Sequence, residues 1–67
     1  MRDWLKEKRV GSGFTMAQMA SKLDITESYY SMIEAGDRQK KMDVALASKL
    51  SVVFDMPLKM IAEYENQ

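Results

Sequence analysis

Sixty-seven residues with ten basic and ten acidic side chains give a chain of zero net charge that has neither cysteine nor histidine. That length suits one domain, spanning 1–67, and a domain so small buries only about 60% of the surface its unfolded chain exposes. The absence of Cys and His excludes a disulfide framework, a zinc finger and histidine-dependent catalysis, so packing must supply the stability.

No apolar run approaches the roughly 18 residues of a membrane span. Asp3 and Glu7 among the first basic residues do not suit a signal peptide. The expectation is a soluble cytoplasmic protein. The charge is unevenly spread: residues 1–25 sum to +2, residues 26–41 to 0 and residues 42–67 to −2. A phosphate-facing surface belongs in the first two thirds, although overall charge alone does not suggest nucleic acid.

Apolar residues recur at helical spacing, and nowhere do they alternate with polar ones for long, so the expected class is all-α. Residues 2–9 read as a first helix with Trp4 and Leu5 as its apolar contribution. Gly11-Ser12-Gly13 stops it, because glycine admits the backbone angles a stopping helix needs. Thr15 with Gln18 three residues on forms a capping box, and Phe14 with Met19 the accompanying hydrophobic staple. The second helix runs to Leu23, with Met16, Met19, Ala20 and Leu23 on its buried face. Asp24 tolerates a left-handed conformation, and Ile25 tucks into the core.

Thr26 caps a third helix over 26–35, which buries Tyr30, Ile33 and the edge of Tyr29 before Gly36 ends it. The polar loop Asp37 to Lys41 leads to a fourth helix capped by Asp43, with Leu46 or Ala47, Leu50, Val53 and Phe54 as its stripe. Pro57 opens a fifth helix that buries Leu58, Ile61 and Tyr64.

The informative segment is 15–36: two short helices separated only by Asp24-Ile25-Thr26. So brief a connection makes the axes cross steeply and demands a small residue where they meet. Ala20 occupies that place, with Ile25 and Ile33 filling the angle, which is the spacing of a helix-turn-helix. A compact helical hairpin in any small bundle has the same spacing, so the pattern leaves DNA binding open.

The segment FTMAQMASKLDITESYYSMIEAGDR resembles the Cro and repressor helix-turn-helix family of phages and bacteria, often called the Xre family. Phe14-Thr15 is similar to the family's entry to its second helix and Met19-Ala20 to its apolar-alanine pair. Ile25-Thr26 resembles the turn, Ser28 to Ser31 the recognition helix and Ile33-Glu34-Ala35-Gly36 the closing motif. Met16 stands where the family commonly has glutamine, and Asp24 where it commonly has glycine. The resemblance implies a five-helix lambda-repressor-like fold and a sequence-specific, double-stranded DNA-binding transcription regulator. A repressor of phage or mobile-element type is the expected kind.

By that resemblance, Glu27, Ser28 and Met32 face bases: Glu27 toward cytosine N4, Ser28 toward several bases and Met32 toward a thymine methyl. Glu27 equally suits the first turn of a helix for its effect on the macrodipole. Arg38, Lys40 and Lys41 are expected on phosphates, with backbone amides near Thr15 and Met16 as a second anchor. Tyr29 either bonds a phosphate or covers the core edge, whereas Tyr30 belongs to the core. The resemblance also pairs Arg9 with Glu34 as a structural ion pair, and implies a homodimer through the last helices on a palindromic operator. Met42, Met56 and Met60 are candidates for that interface.

The competing reading is an antitoxin-like protein or adaptor that binds protein on the same fold, favoured by zero net charge and by a recognition helix without Arg or Lys. Enzymatic chemistry has no nucleophile–base pair or phosphate loop behind it. The close carboxylate pairs Glu34–Asp37 and Glu63–Glu65 suggest no pocket. Neither metal, cofactor nor small-molecule ligand is expected.

Overall fold

The computed structural model describes residues 1–66 and contains five helices, with no strand among those residues. They are α1 (Asp3–Gly11), α2 (Met16–Leu23), α3 (Glu27–Ala35), α4 (Val44–Val53) and α5 (Leu58–Glu65).

Local chemistry sets most of these boundaries. The first amides of a helix have no partner within it, and short polar side chains supply one. Thr15 Oγ1 accepts from the Gln18 amide at 3.1 Å while Gln18 Oε1 accepts from the Thr15 amide at 2.8 Å, completing the capping box. Thr26 accepts from the Tyr29 amide at 3.1 Å, and Asp43 from the Leu46 amide at 2.8 Å. Pro57 stands before α5 without a side-chain cap. Asp24 takes the left-handed conformation, at φ 58° and ψ 45°, and Gly36 ends α3 at φ 87°.

The first helix differs from expectation at its end. It runs through Gly11 rather than stopping after Arg9, because one glycine in a last turn costs only about 1 kcal/mol of helix propensity. Gly13, at φ 79°, makes the turn instead, and the Phe14 amide returns to the Arg9 carbonyl at 3.1 Å.

Helical spacing sends one stripe from each helix into a shared core. α1 gives Leu5, α2 gives Met19, Ala20 and Leu23, α3 gives Tyr30 and Ile33, α4 gives Leu46 and Leu50, and α5 gives Ile61. Phe14, Met16, Ile25, Val53 and Phe54 are half-buried around it. The most extensive helix–helix packing joins α2 to α3; α4 backs α2, and α1 reaches α3. Ala20 is 3% exposed, which suits the small residue needed at the crossing. Lys49 of α4 donates to the carbonyl of Leu23 at 3.2 Å, tying α4 to the end of α2.

One expectation at the C-terminal end needs correction. Leu58 is 43% exposed rather than buried, since it opens α5 outside the core cluster that Ile61 enters. Met42 and Met56 pack against the chain's own core, leaving Met60 as the exposed methionine of the three interface candidates. No helix among the described residues is long and apolar enough to cross a membrane.

Candidate nucleic-acid interface

The two sides of α3 differ in kind. Tyr30, Ile33 and Glu34 are buried, while Glu27, Ser28, Ser31 and Ala35 are exposed. The exposed positions recur at three- and four-residue steps and so share one face. Of the three predicted base-facing residues, Glu27 and Ser28 stand open at the start of the helix, and Met32 is half-buried at its flank. Ser31 shares the exposed face of Glu27 and Ser28. Its spacing from those two residues is the signal that could have placed it there.

A buried polar cluster fixes the back of α3. Arg9 Nε donates to Glu34 Oε2 at 2.9 Å and Nη2 to Oε1 at 3.2 Å, a two-pronged pair. The Tyr30 hydroxyl donates to Glu34 Oε2 at 2.7 Å, and Arg9 Nη1 donates to the Phe14 carbonyl at 3.0 Å. The hydrogen bond to Glu34 raises the Arg9 pKa above its ordinary value. Burial, reinforced by the bond to Glu34, raises that of the Tyr30 phenol. Every buried side-chain nitrogen and oxygen of the described residues has a partner, so the cluster adds rigidity without an orphaned group.

The flanks of α3 carry groups that suit an anionic backbone. Arg38, Lys40 and Lys41 are exposed in the loop after α3. Tyr29 covers the core edge, half-buried, and its hydroxyl accepts from Gln39 Nε2 at 2.9 Å. An accepting hydroxyl keeps its own proton to donate elsewhere. Gln39 is in turn fixed to Asp43, whose amide donates to Gln39 Oε1 at 3.0 Å.

The anchor expected at α2 is altered. The Thr15 amide is committed to Gln18 within the capping box, so the open donors of this helix start are the amides of Met16 and Ala17.

The electrostatics are mild. α3 has no Arg or Lys, and its first turn carries Glu27, which favours the helix macrodipole. Lys22 lies over the Phe14 ring at 4.6 Å, near the end of α2. Among the described residues no three His, Cys, Asp or Glu side chains are grouped to hold a metal ion.

Sequence reasoning missed Arg2, Gln39 and Glu65. Arg2 is buried against Glu65, which also accepts from Trp4 Nε1 at 2.8 Å, beside a Trp4–Tyr64 ring stack with centroids 5.2 Å apart. No local pattern could have revealed this pairing, since Arg2 and Glu65 lie at opposite ends of the described chain.

No solved structure matches the chain. It is 42% identical over 45 residues to the uncharacterized HTH-type transcriptional regulator YqaF of Bacillus subtilis (strain 168). That match covers 67% of this chain and 59% of YqaF, so the chain spans less than two thirds of that relative's length. The model of the helix-turn-helix family matches residues 5–61, from within α1 to Ile61 of α5, and the chain belongs to this Xre-like helix-turn-helix family.

Proposed function

We propose that this chain binds double-stranded DNA by setting α3 in the major groove and thereby regulates transcription. The observation that carries the reading is the open face of Glu27, Ser28 and Ser31 on a helix whose back is locked by Tyr30, Ile33 and Glu34. A recognition helix reads base edges with residues near its N-terminus and needs that rigidity to keep register. Serine hydroxyls can donate or accept, Glu27 can accept from cytosine N4, and Met32 at the flank can touch a thymine methyl.

Arg38, Lys40, Lys41 and the Tyr29 hydroxyl bind phosphates in this reading, with the amides of Met16 and Ala17 as the second anchor. Three loop cations give a slope of log K against log salt of about −3 for one copy. So few phosphate contacts make a lone copy a weak binder.

The dimensions, 25 × 24 × 20 Å, fit one half-site, because successive half-sites lie about 34 Å apart. We place two copies on a palindromic operator, joined through the C-terminal helices where Leu58 and Met60 are exposed. Repression suits the chain best, since it requires only occupancy of the operator. The name of YqaF and the family membership agree with regulation of transcription.

Selection of duplexes from a random DNA pool, followed by gel retardation, tests the reading. Enrichment of an inverted repeat with half-sites about one turn apart is expected. No retardation of any duplex at low salt would instead favour the adaptor reading, which the mild charge of α3 supports.

A further inference from the structure

Arg2 is only 7% exposed, yet every N–H of its guanidinium meets an acceptor. Nε donates to both Glu65 oxygens, at 3.1 and 2.9 Å, and Nη2 to Glu65 Oε1 at 2.9 Å. Nη1 donates to the carbonyls of Ile33 at 2.7 Å and Arg38 at 3.1 Å, and Nη2 also to that of Gln39. The Arg2 backbone amide adds a bond to the Glu34 carbonyl at 2.9 Å. All five donors of a guanidinium are thus used.

The acceptors show what this arrangement does. Ile33 and Glu34 lie in the last turn of α3, where helix carbonyls need outside donors. Arg38 and Gln39 belong to the loop that carries the free cations. One side chain therefore ties the end of the recognition helix to that loop, and Glu65 ties both to α5. Glu65 is itself held by Trp4 Nε1, and Trp4 stacks on its neighbour Tyr64.

The chain of contacts continues outward. Gln39 sits at φ 53°, a left-handed conformation that side chains rarely adopt, and Arg2 takes its carbonyl. From that position the Gln39 side chain reaches the Tyr29 hydroxyl and the Asp43 carboxylate. Glu65, Arg2, Gln39 and Tyr29 form an unbroken relay from α5 to the flank of α3. Arg2 cannot serve as a phosphate contact, because its charge is buried and matched by Glu65.

Resting on the DNA-binding reading, we propose that Arg2, clamped by Glu65, is a positioning residue for DNA. It sets the loop of Arg38, Lys40 and Lys41, and through Gln39 the Tyr29 hydroxyl, against the phosphates without touching them. The fork geometry is essential, since a lysine ammonium has three donors on a flexible stem and cannot hold Glu65 and three carbonyls together.

The test uses the full chain and the duplex that the unaltered chain selects from a random pool. Binding is measured across a salt series at a temperature where circular dichroism shows each variant folded. Glu65→Gln removes a negative charge, so long-range attraction to DNA alone would strengthen binding; Arg2→Lys leaves the charge unchanged. Under the positioning role, both variants bind about tenfold more weakly and the salt slope shrinks by about 1. Gln39→Ala, which cuts the relay beyond Arg2, also weakens binding, and its loss combined with that of Glu65→Gln is less than additive.

Folded variants with unaltered affinity and slope would overturn the positioning role and leave the DNA reading standing, as would fully additive losses. Should Glu65→Gln fail to fold, Arg2→Lys and Gln39→Ala decide the question by the same two readouts. An unaltered chain that retards no duplex overturns the DNA reading, and the positioning role falls with it.

Discussion

Replacing Glu34 by Gln changes one atom type at the centre of the fold and should have a large effect. Glu34 is 1% exposed and accepts three hydrogen bonds, two from Arg9 and one from Tyr30. An amide offers one acceptor oxygen, and its NH2 must then oppose at least one of these donors. Arg9 also loses its counter-charge while its side chain stays 11% exposed, so solvent can do little to compensate. Removing one partner of a buried pair costs about 3–5 kcal/mol. A chain of 67 residues has a total stability of roughly 3–10 kcal/mol. Even the lower cost lowers Tm by roughly 12–24 °C at this size. Urea and thermal unfolding followed by circular dichroism measure the loss, and the triple variant Arg9→Met/Tyr30→Phe/Glu34→Leu should recover much of it by removing both charges and the hydroxyl that bonds Glu34. A single Glu34→Gln change costing less than about 1 kcal/mol would refute the assignment of the pair as the brace of α3.

Four further outcomes follow from other positions. Because burial and Glu34 raise the Tyr30 phenol above its ordinary 10.0, the folded chain keeps that proton where the unfolded chain releases it. Stability should be full below pH 10 and decline as pH rises beyond it; Tyr30→Phe should flatten this decline in alkaline unfolding curves. Ala20→Leu forces a larger side chain into the α2–α3 crossing and should cost about 1–3 kcal/mol in urea unfolding, with gel retardation weakened alongside. Gly36→Ala places a Cβ at φ 87° and should cost about 1–2 kcal/mol, whereas Asp24→Gly relieves a left-handed residue and should raise Tm.

Much of this molecule is legible in its sequence because the signals are local. Thr15 with Gln18, Thr26, Asp43, Asp24 and Gly36 announce helix boundaries through interactions spanning three or four residues. Ala20 and Ile33 follow from helical periodicity, and the family resemblance brings Arg9 and Glu34 together. What the sequence conceals depends on tertiary closure. Arg2 and Glu65 meet only once α5 has docked on α1, and Gln39 acquires its role only through the left-handed backbone that brings its amide to Tyr29. The Thr15 amide departs from expectation for another reason: the capping box that marks the helix start also consumes the donor assigned to phosphate. Leu58 matches the periodic pattern but lies outside the core, where periodicity carries no information about what a face meets.

The most direct measurement is an NMR titration of the full chain with the duplex that enriches from a random pool. If α3 enters the groove, the largest amide shifts fall on Glu27, Ser28 and Ser31, with a second group at Tyr29 and residues 37–41, while the exposed surface of α4 stays nearly unmoved. Shifts gathered on α4 and α5 instead, or the absence of any enriched duplex, would contradict it.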